Sequence, residues 1–115
     1  LPDVLFESHS APIGLTFLAD AGVPIDWRDD ALVALRGSWN AAVPTGYKVV
    51  RVEIQEGVPT GRYINFLTGF RVDAPNPDAP SPAKVWGRPV GVAVGPDGAI
   101  YVSDDTGGTI WRISK

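Results

Sequence analysis

Apolar and polar residues alternate with a period of two along most of the chain. This alternation is typical of β-strands, whose successive side chains point to opposite faces of a sheet. No window repeats apolar residues at helical spacing behind a capping residue, although residues 20–31 have room for one short helical turn. The pattern therefore predicts an all-β fold. The eight predicted strands are Asp3–Phe6, Ile13–Leu18, Ala31–Arg36, Tyr47–Ile54, Tyr63–Phe70, Val90–Val94, Ala99–Ser103 and Thr109–Ile113.

The strand pattern occurs twice. Pro12–Phe17 has the same alternation as Pro89–Val94, with proline first and glycine third in both segments. The strands that follow keep their order, and their third members carry Arg51 and Arg112 at matching places, which predicts hydrogen bonds between neighbouring units. The first copy has four strands and the second has three. Four-stranded antiparallel units arranged radially are the blades of a β-propeller, so the sequence predicts about two blades.

A proline-rich stretch separates the two copies. We expect residues 1–7 to be the outer strand of a preceding blade, 8–72 a complete blade with long loops, 73–85 a surface connection and 86–115 three strands of the last blade. Two blades alone would expose apolar faces, so closure is expected from sibling copies or from a missing part of a longer chain. The absence of methionine indicates a processed chain or a piece of a longer one.

Composition excludes several classes of function. A net charge of -3 offers no basic field for nucleic acid or an anionic membrane. The lack of cysteine rules out a disulfide framework, a thiolate metal site and a cysteine nucleophile. No apolar run approaches the length of a membrane span. The single histidine, His9, lies between two serines whose side chains point to the opposite face, so no catalytic triad is indicated.

Motifs throughout the chain resemble the C-terminal portion of bacterial glucose/sorbosone dehydrogenases. These motifs are LPDVLF (1–6), HSAP (9–12), ALRGSWN (34–40), GYKVVRV (46–52), FLTGF (66–70), WGRPVGVAV (86–94) and YVSDDTGGTIWRI (101–113). The resemblance implies a six-bladed propeller that oxidises a small sugar or sugar aldehyde with pyrroloquinoline quinone (PQQ), in the periplasm or outside the cell. It places the catalytic histidine and the main calcium ligands in earlier blades, so neither a catalytic residue nor a metal ligand is assigned to this chain.

The resemblance also suggests site residues. Arg88 and Arg36 correspond to residues that grip the carboxylates of the quinone, and a guanidinium fork suits that task. His9 corresponds to a polar residue beside the quinone, and Asp104 to a residue at the substrate mouth. Among the tryptophans, Trp39 and Trp86 are candidates to stack on sugar rings, whereas Trp111 is expected to pack between blades.

Structural roles compete with each of these interpretations. His9 is also suited to capping a loop, and Arg88 to a salt bridge with a neighbouring blade. The Asp104–Asp105 loop lacks the acid spacing of a calcium site and is expected to form turn hydrogen bonds.

Two functions stay open. One is the C-terminal portion of a quinone-dependent sugar dehydrogenase, inactive alone; the other is a non-catalytic two-blade module that assembles into a propeller and binds carbohydrate or serves a structural role.

Overall fold

The computed structural model describes residues 1–38, 45–72 and 84–114. Its one helical segment within those ranges is a 3-10 helix at Ile25–Trp27, inside the stretch predicted to hold a helical turn. No helix in the described ranges is long and apolar enough to cross a membrane. The strands are β1 (Pro12–Phe17), β2 (Ala31–Leu35), β3 (Lys48–Gln55), β4 (Val58–Leu67), β5 (Arg71–Val72), β6 (Lys84–Val85), β7 (Pro89–Val94), β8 (Ile100–Asp104) and β9 (Thr109–Ile113).

These strands form two antiparallel meanders. The first sheet has the order β1-β2-β3-β4, and the second has the order β7-β8-β9. The short strands β5 and β6 pair with each other on the path between the two sheets. The predicted all-β fold of about two blades is confirmed. The division of the chain into blade and connection segments stays a prediction, and residues 73–83 of the predicted connection lie outside the described ranges.

The continuous apolar run of β2 is explained by burial on both faces. All five residues of this strand are buried. Leu32 and Ala34 face the second sheet, where they join a core that includes Val102 of β8. Val33 and Leu35 point the opposite way, into a second apolar cluster. Alternation of polar and apolar residues is absent here because neither face of β2 meets solvent.

The two sheets approach most closely at their first strands, β1 and β7. A Cβ added to Gly14 in β1 would overlap the backbone carbonyl oxygen of Val90 in β7. Glycine is therefore required at this crossing because the two backbones leave no space for a side chain. Near the 3-10 helix, the interface is closed by a hydrogen bond of 2.9 Å from the Gly22 amide to the Gly98 carbonyl.

The predicted strand at Asp3–Phe6 is wrong, since residues 1–11 contain no strand. Instead, Val4 and Phe6 pack on the cluster formed by the outer face of the first sheet, and Phe6 lies 5.1 Å from Tyr63 between ring centroids. The alternating apolar residues of this segment, Val4 and Phe6, are used to pack against the first sheet. Its backbone is paired with no strand among the described residues.

The predicted hydrogen bonds of Arg51 and Arg112 between blades are also wrong. Arg51 forms an ion pair with Asp30, and its guanidinium lies 4.4 Å above the Trp27 ring. Arg112 forms an ion pair with Asp97 at 2.8 Å. Both arginines thus bind an aspartate of their own sheet. The reason is geometric, because the turn between the first two strands returns beside the third strand and presents its carboxylate there.

Candidate functional site

Four of the predicted site residues lie at one end of the two sheets. The first residue of β1 pairs with the last residue of β2, and the first residue of β7 pairs with the last residue of β8. The segments that flank these pairs therefore share one end, which we call the mouth end. It carries His9, Arg36, Arg88 and Asp104. Strand register places two of these residues together in each sheet, and the docking of the two sheets brings both pairs to the same end, although the residues are up to 95 positions apart in the chain.

Arg36 joins the two sheets at the mouth end. Its Nε and Nη2 atoms each lie 2.9 Å from Oδ2 of Asp105, which directly follows β8. The backbone amide of Arg36 donates to the Ala11 carbonyl at 2.9 Å, ahead of β1. Arg36 was predicted to grip the cofactor. The structure places two of its three guanidinium nitrogens on an acidic neighbour.

Arg88 is held through its backbone. Its amide donates to Oδ1 of Asp104 at 2.9 Å, and its carbonyl accepts from the Asp105 amide at 3.2 Å. Its Nε atom is buried and has no hydrogen-bond partner among the described residues. Because an unsatisfied buried donor is costly, such an atom calls for a partner that the described part of the chain does not supply. Arg88 is accordingly the candidate anion ligand of the mouth end.

Asp104 is a buried carboxylate with several donors. Its side chain is part of a residue only 5% exposed, and Oδ1 accepts from the amides of Arg88, Thr106 and Gly107 at 2.9, 3.0 and 3.1 Å. Burial raises the pKa of this carboxyl, but hydrogen bonds from those amides and from the Trp111 side chain outweigh burial, so the pKa lies below its ordinary value. The turn hydrogen bonds expected for the Asp104–Asp105 loop are present.

Asp104→Asn is expected to cost about 1–2 kcal/mol of unfolding free energy at pH 7, because a charged acceptor is replaced by a neutral one. The folded state favours the ionised carboxylate, so this contribution is present above the ordinary pKa of 3.8 and is lost as pH falls through the lower folded value. Urea denaturation at pH 7 and pH 3 measures it. The gap between wild type and variant should shrink at pH 3; an unchanged gap would contradict the assignment.

The loops before β1 and after β2 interlock in strained conformations. His9, Ala11 and Tyr47 have φ angles of 63°, 55° and 57°, which few non-glycine residues adopt. The Tyr47 hydroxyl donates to the Ser38 carbonyl, and a Cβ on Gly37 would lie 2.6 Å from the Tyr47 ring. Strained backbone of this kind collects at functional sites, where surrounding contacts enforce it. The exposed His9 is thus presented from a rigid frame.

Two residues of this frame were missed by the sequence reasoning. Ser10 is 1% exposed, and its Oγ has no hydrogen-bond partner among the described residues. Tyr47 is buried and ties the ends of the loop after β2 together. Nothing in the local sequence marks either residue, since both depend on contacts with segments that are separate in the chain: the Ser10 carbonyl lies against Gly46, and Tyr47 against Gly37 and Ser38.

Two tryptophans border a cavity of about 440 Å³ beside the mouth end. Trp86 is 65% exposed and Trp111 is 48% exposed, and the buried Phe70 forms part of the same wall. Trp111 pairs with Val102 across the second sheet, so both side chains lie on the face that points toward the first sheet. About half of the Trp111 surface is nevertheless exposed to solvent. Trp39 lies outside the described residues.

No group of three or more His, Asp or Glu side chains that could hold a metal ion occurs among residues 1–38, 45–72 and 84–114. The acidic residues of the mouth end are instead used as acceptors by Arg36, by backbone amides and by Trp111. Within the described ranges, the candidate ligand group of the mouth end is therefore the Arg88 guanidinium.

The two meanders with adjacent first strands define a portion of a β-propeller, with its polar site at the ends of the inner strands. Comparison with known proteins specifies the family. The chain belongs to the TrAA12-like family, whose model matches residues 1–115. This family relationship links the chain to proteins that act on sugars as oxidoreductases.

Individual relatives support the assignment. An uncharacterized protein from Borreliella burgdorferi is 33% identical over 107 residues, covering 92% of this chain and 26% of the relative. The pyrroloquinoline quinone-dependent pyranose dehydrogenase of Coprinopsis cinerea is 34% identical over 125 residues, covering 99% of this chain and 16% of the relative. The holo form of the PQQ domain of pyranose dehydrogenase from Coprinopsis cinerea superposes with a TM-score of 0.71 and 33% identity, covering 99% of this chain and 29% of that structure. The chain thus spans about a quarter or less of the length of its curated relatives.

Proposed function

We propose that this chain forms two blades of a PQQ-dependent sugar dehydrogenase and contributes wall residues to its active site. The observation that carries the proposal is the buried Nε of Arg88, which has no hydrogen-bond partner among the residues the structure describes, in a chain 33% identical to a PQQ domain. PQQ bears three carboxylates, and a carboxylate is the natural acceptor for a guanidinium. The pocket itself is completed by blades that these two do not provide.

Exposed apolar faces support completion by further blades. Ile13, Leu15 and Phe17 alternate along β1 and are 51%, 57% and 63% exposed. At the other end of the unit, Ile110 in β9 is 73% exposed. Large apolar side chains in such a row are costly in water, and a neighbouring blade would bury them. The remaining blades are proposed to come from the rest of a longer chain, with sibling copies as the alternative source.

The residues present fit PQQ at Arg88. The guanidinium of Arg88 would bind a carboxylate of the quinone, and His9 would add a hydrogen-bonding ring at the same end of the sheets. The charge of Arg36 is compensated by Asp105, so Arg36 would act there through that ion pair. When bound, PQQ accepts two electrons from the oxidised carbon of the sugar. Arg88 orients the quinone and balances its charge, while the family resemblance puts the histidine base and the calcium ligands in blades outside this chain.

On the substrate side, Trp86 and Trp39 are proposed to stack on a pyranose or sugar-aldehyde substrate. The exposure of Trp86 supports this role, since 65% of its surface is available for contact. Asp104 is proposed to shape the wall of the mouth through the turn that its carboxylate organises. A periplasmic or secreted location is proposed from the same family resemblance.

Reconstitution of the full-length protein tests the proposal. Purified protein is titrated with PQQ by quenching of tryptophan fluorescence, and reduction of a dye by glucose, other pyranoses and sugar aldehydes is then followed with PQQ and Ca²⁺ present. Saturable PQQ binding with sugar-dependent turnover supports the proposal. Carbohydrate binding without PQQ binding would favour the non-catalytic module, and the mass of the native particle separates a longer chain from sibling copies as the source of the other blades.

A further inference from the structure

We propose that Asp105, which forms an ion pair with Arg36 of the neighbouring sheet, is a positioning residue that fixes the location of Arg88 at the mouth end. This inference rests on the proposed function, because it takes Arg88 to be the ligand of a carboxylate of PQQ. It assigns Arg36 an indirect role. Arg36 acts through Asp105, and Arg88 makes the contact.

The backbone of Arg88 is fixed from both sides. Asp104 accepts its amide at 2.9 Å, and the Asp105 amide donates to its carbonyl at 3.2 Å. The residues on either side add to this restriction. Gly87 has no room for a Cβ because the Asp104 carboxylate occupies that space, and Pro89 has a fixed φ angle. The Asp104–Asp105 pair therefore determines where the Arg88 side chain starts.

The side chain of Asp105 connects this arrangement to the first sheet. Its Oδ2 accepts from Nε and Nη2 of Arg36, both at 2.9 Å, while the Arg36 amide is held by the Ala11 carbonyl. Arg36 and Asp105 are 32% and 41% exposed. The path from β2 to Arg88 consequently runs through one ion pair and one backbone hydrogen bond, and it crosses from one sheet to the other.

This ion pair is expected to contribute more to geometry than to stability. Partly exposed ion pairs contribute little to the stability of a fold, because solvent screens their attraction. A displacement of a ligand group by about 1 Å, in contrast, costs up to roughly 100-fold in function. Loss of the pair should therefore weaken carboxylate binding at Arg88 while leaving the melting temperature nearly unchanged.

The test compares wild type, Asp105→Asn, Arg36→Lys and the double variant in the full-length protein. The affinities of PQQ and of its trimethyl ester, which has no free carboxylate, are measured with each. We expect each single variant to bind PQQ about fivefold or more weakly, with little change for the ester, and the double variant to be no worse than either single. A general structural defect would weaken both ligands equally and would overturn the proposal, as would additive effects in the double variant.

Asp97→Asn is the matched control, because it removes the Asp97–Arg112 ion pair of similar exposure from the opposite end of the second sheet. It should leave both affinities unchanged. Arg88→Ala separates the two hypotheses. If wild type binds PQQ and Arg88→Ala loses that binding while Asp105→Asn does not, the positioning role is overturned and the proposed function stands. If wild type does not bind PQQ, both are overturned.

Discussion

Gly14→Ala is expected to destabilise the protein by about 3 kcal/mol or more, at the upper end of the cost of overpacking. The new methyl group would overlap the carbonyl oxygen of Val90, which belongs to the backbone of β7 and has no rotamer into which it can move. The two first strands would have to separate, and the core between the sheets would loosen. Chemical denaturation of the full-length protein measures the loss.

Gly22→Ala is the control for the general effect of replacing glycine. A Cβ at Gly22 would lie 3.6 Å from the Gly98 carbonyl oxygen, an ordinary contact distance. We expect this variant to change the unfolding free energy by less than about 1 kcal/mol, since the alanine only restricts the unfolded chain. Equal stabilities for the Gly14 and Gly22 variants would show that the sheets do not cross as closely as the structure has them.

Arg88→Ala is expected to weaken PQQ binding by about 10- to 100-fold, the range that follows from losing one or two hydrogen bonds to a charged group. The variant should keep its fold. The backbone bonds of residue 88 to Asp104 and Asp105 do not involve its side chain. Removal of Nε also eliminates a buried donor that the described part of the chain leaves unsatisfied. A melting temperature equal to or slightly above that of wild type is therefore expected together with weaker binding.

Arg112→Ala is the control for the loss of a guanidinium. Arg112 lies in the same sheet and pairs with Asp97 at the end opposite the mouth. Its pKa is raised, primarily by the hydrogen bond to Asp97, and the same bond lowers the pKa of that carboxyl. PQQ affinity should be unaffected by this change. Wild-type affinity in Arg88→Ala would contradict the role of Arg88 as the anion ligand.

Strand prediction succeeded where burial on one face produces alternation and where turns have a clear chemical signal. The strand Thr109–Ile113 was predicted with its observed bounds. The Gly95-Pro96-Asp97-Gly98 sequence is typical of a tight turn, and it forms one, with the Gly98 amide 2.9 Å from the Gly95 carbonyl and Gly98 at a φ of 83°. Asp3–Phe6 failed because alternation reports which side chains are buried, and Val4 and Phe6 are partly buried without a strand partner.

The residues of the candidate site were predictable from the sequence, but their contacts were not. The sequence and its family resemblance singled out Arg88, Arg36 and Asp104, and the structure places all three at the mouth end. The partners of these residues were not predictable. A salt bridge across 69 positions, such as Arg36 with Asp105, depends on how two sheets are set against each other. The strain at His9 and the buried Oγ of Ser10 likewise appear only after the loops interlock.

The sequence by itself determined the strand order, the all-β class and the residue types available to an anion site. These follow from local alternation, turn chemistry and composition, which act over a few residues. Only the tertiary structure decided that Arg51 and Arg112 pair within their own sheets and that Gly14 faces a backbone carbonyl. It also decided that the buried Nε of Arg88 has no partner within residues 1–38, 45–72 and 84–114. Those features arise from the docking of distant segments, because each depends on atoms that the neighbouring residues in the chain do not supply.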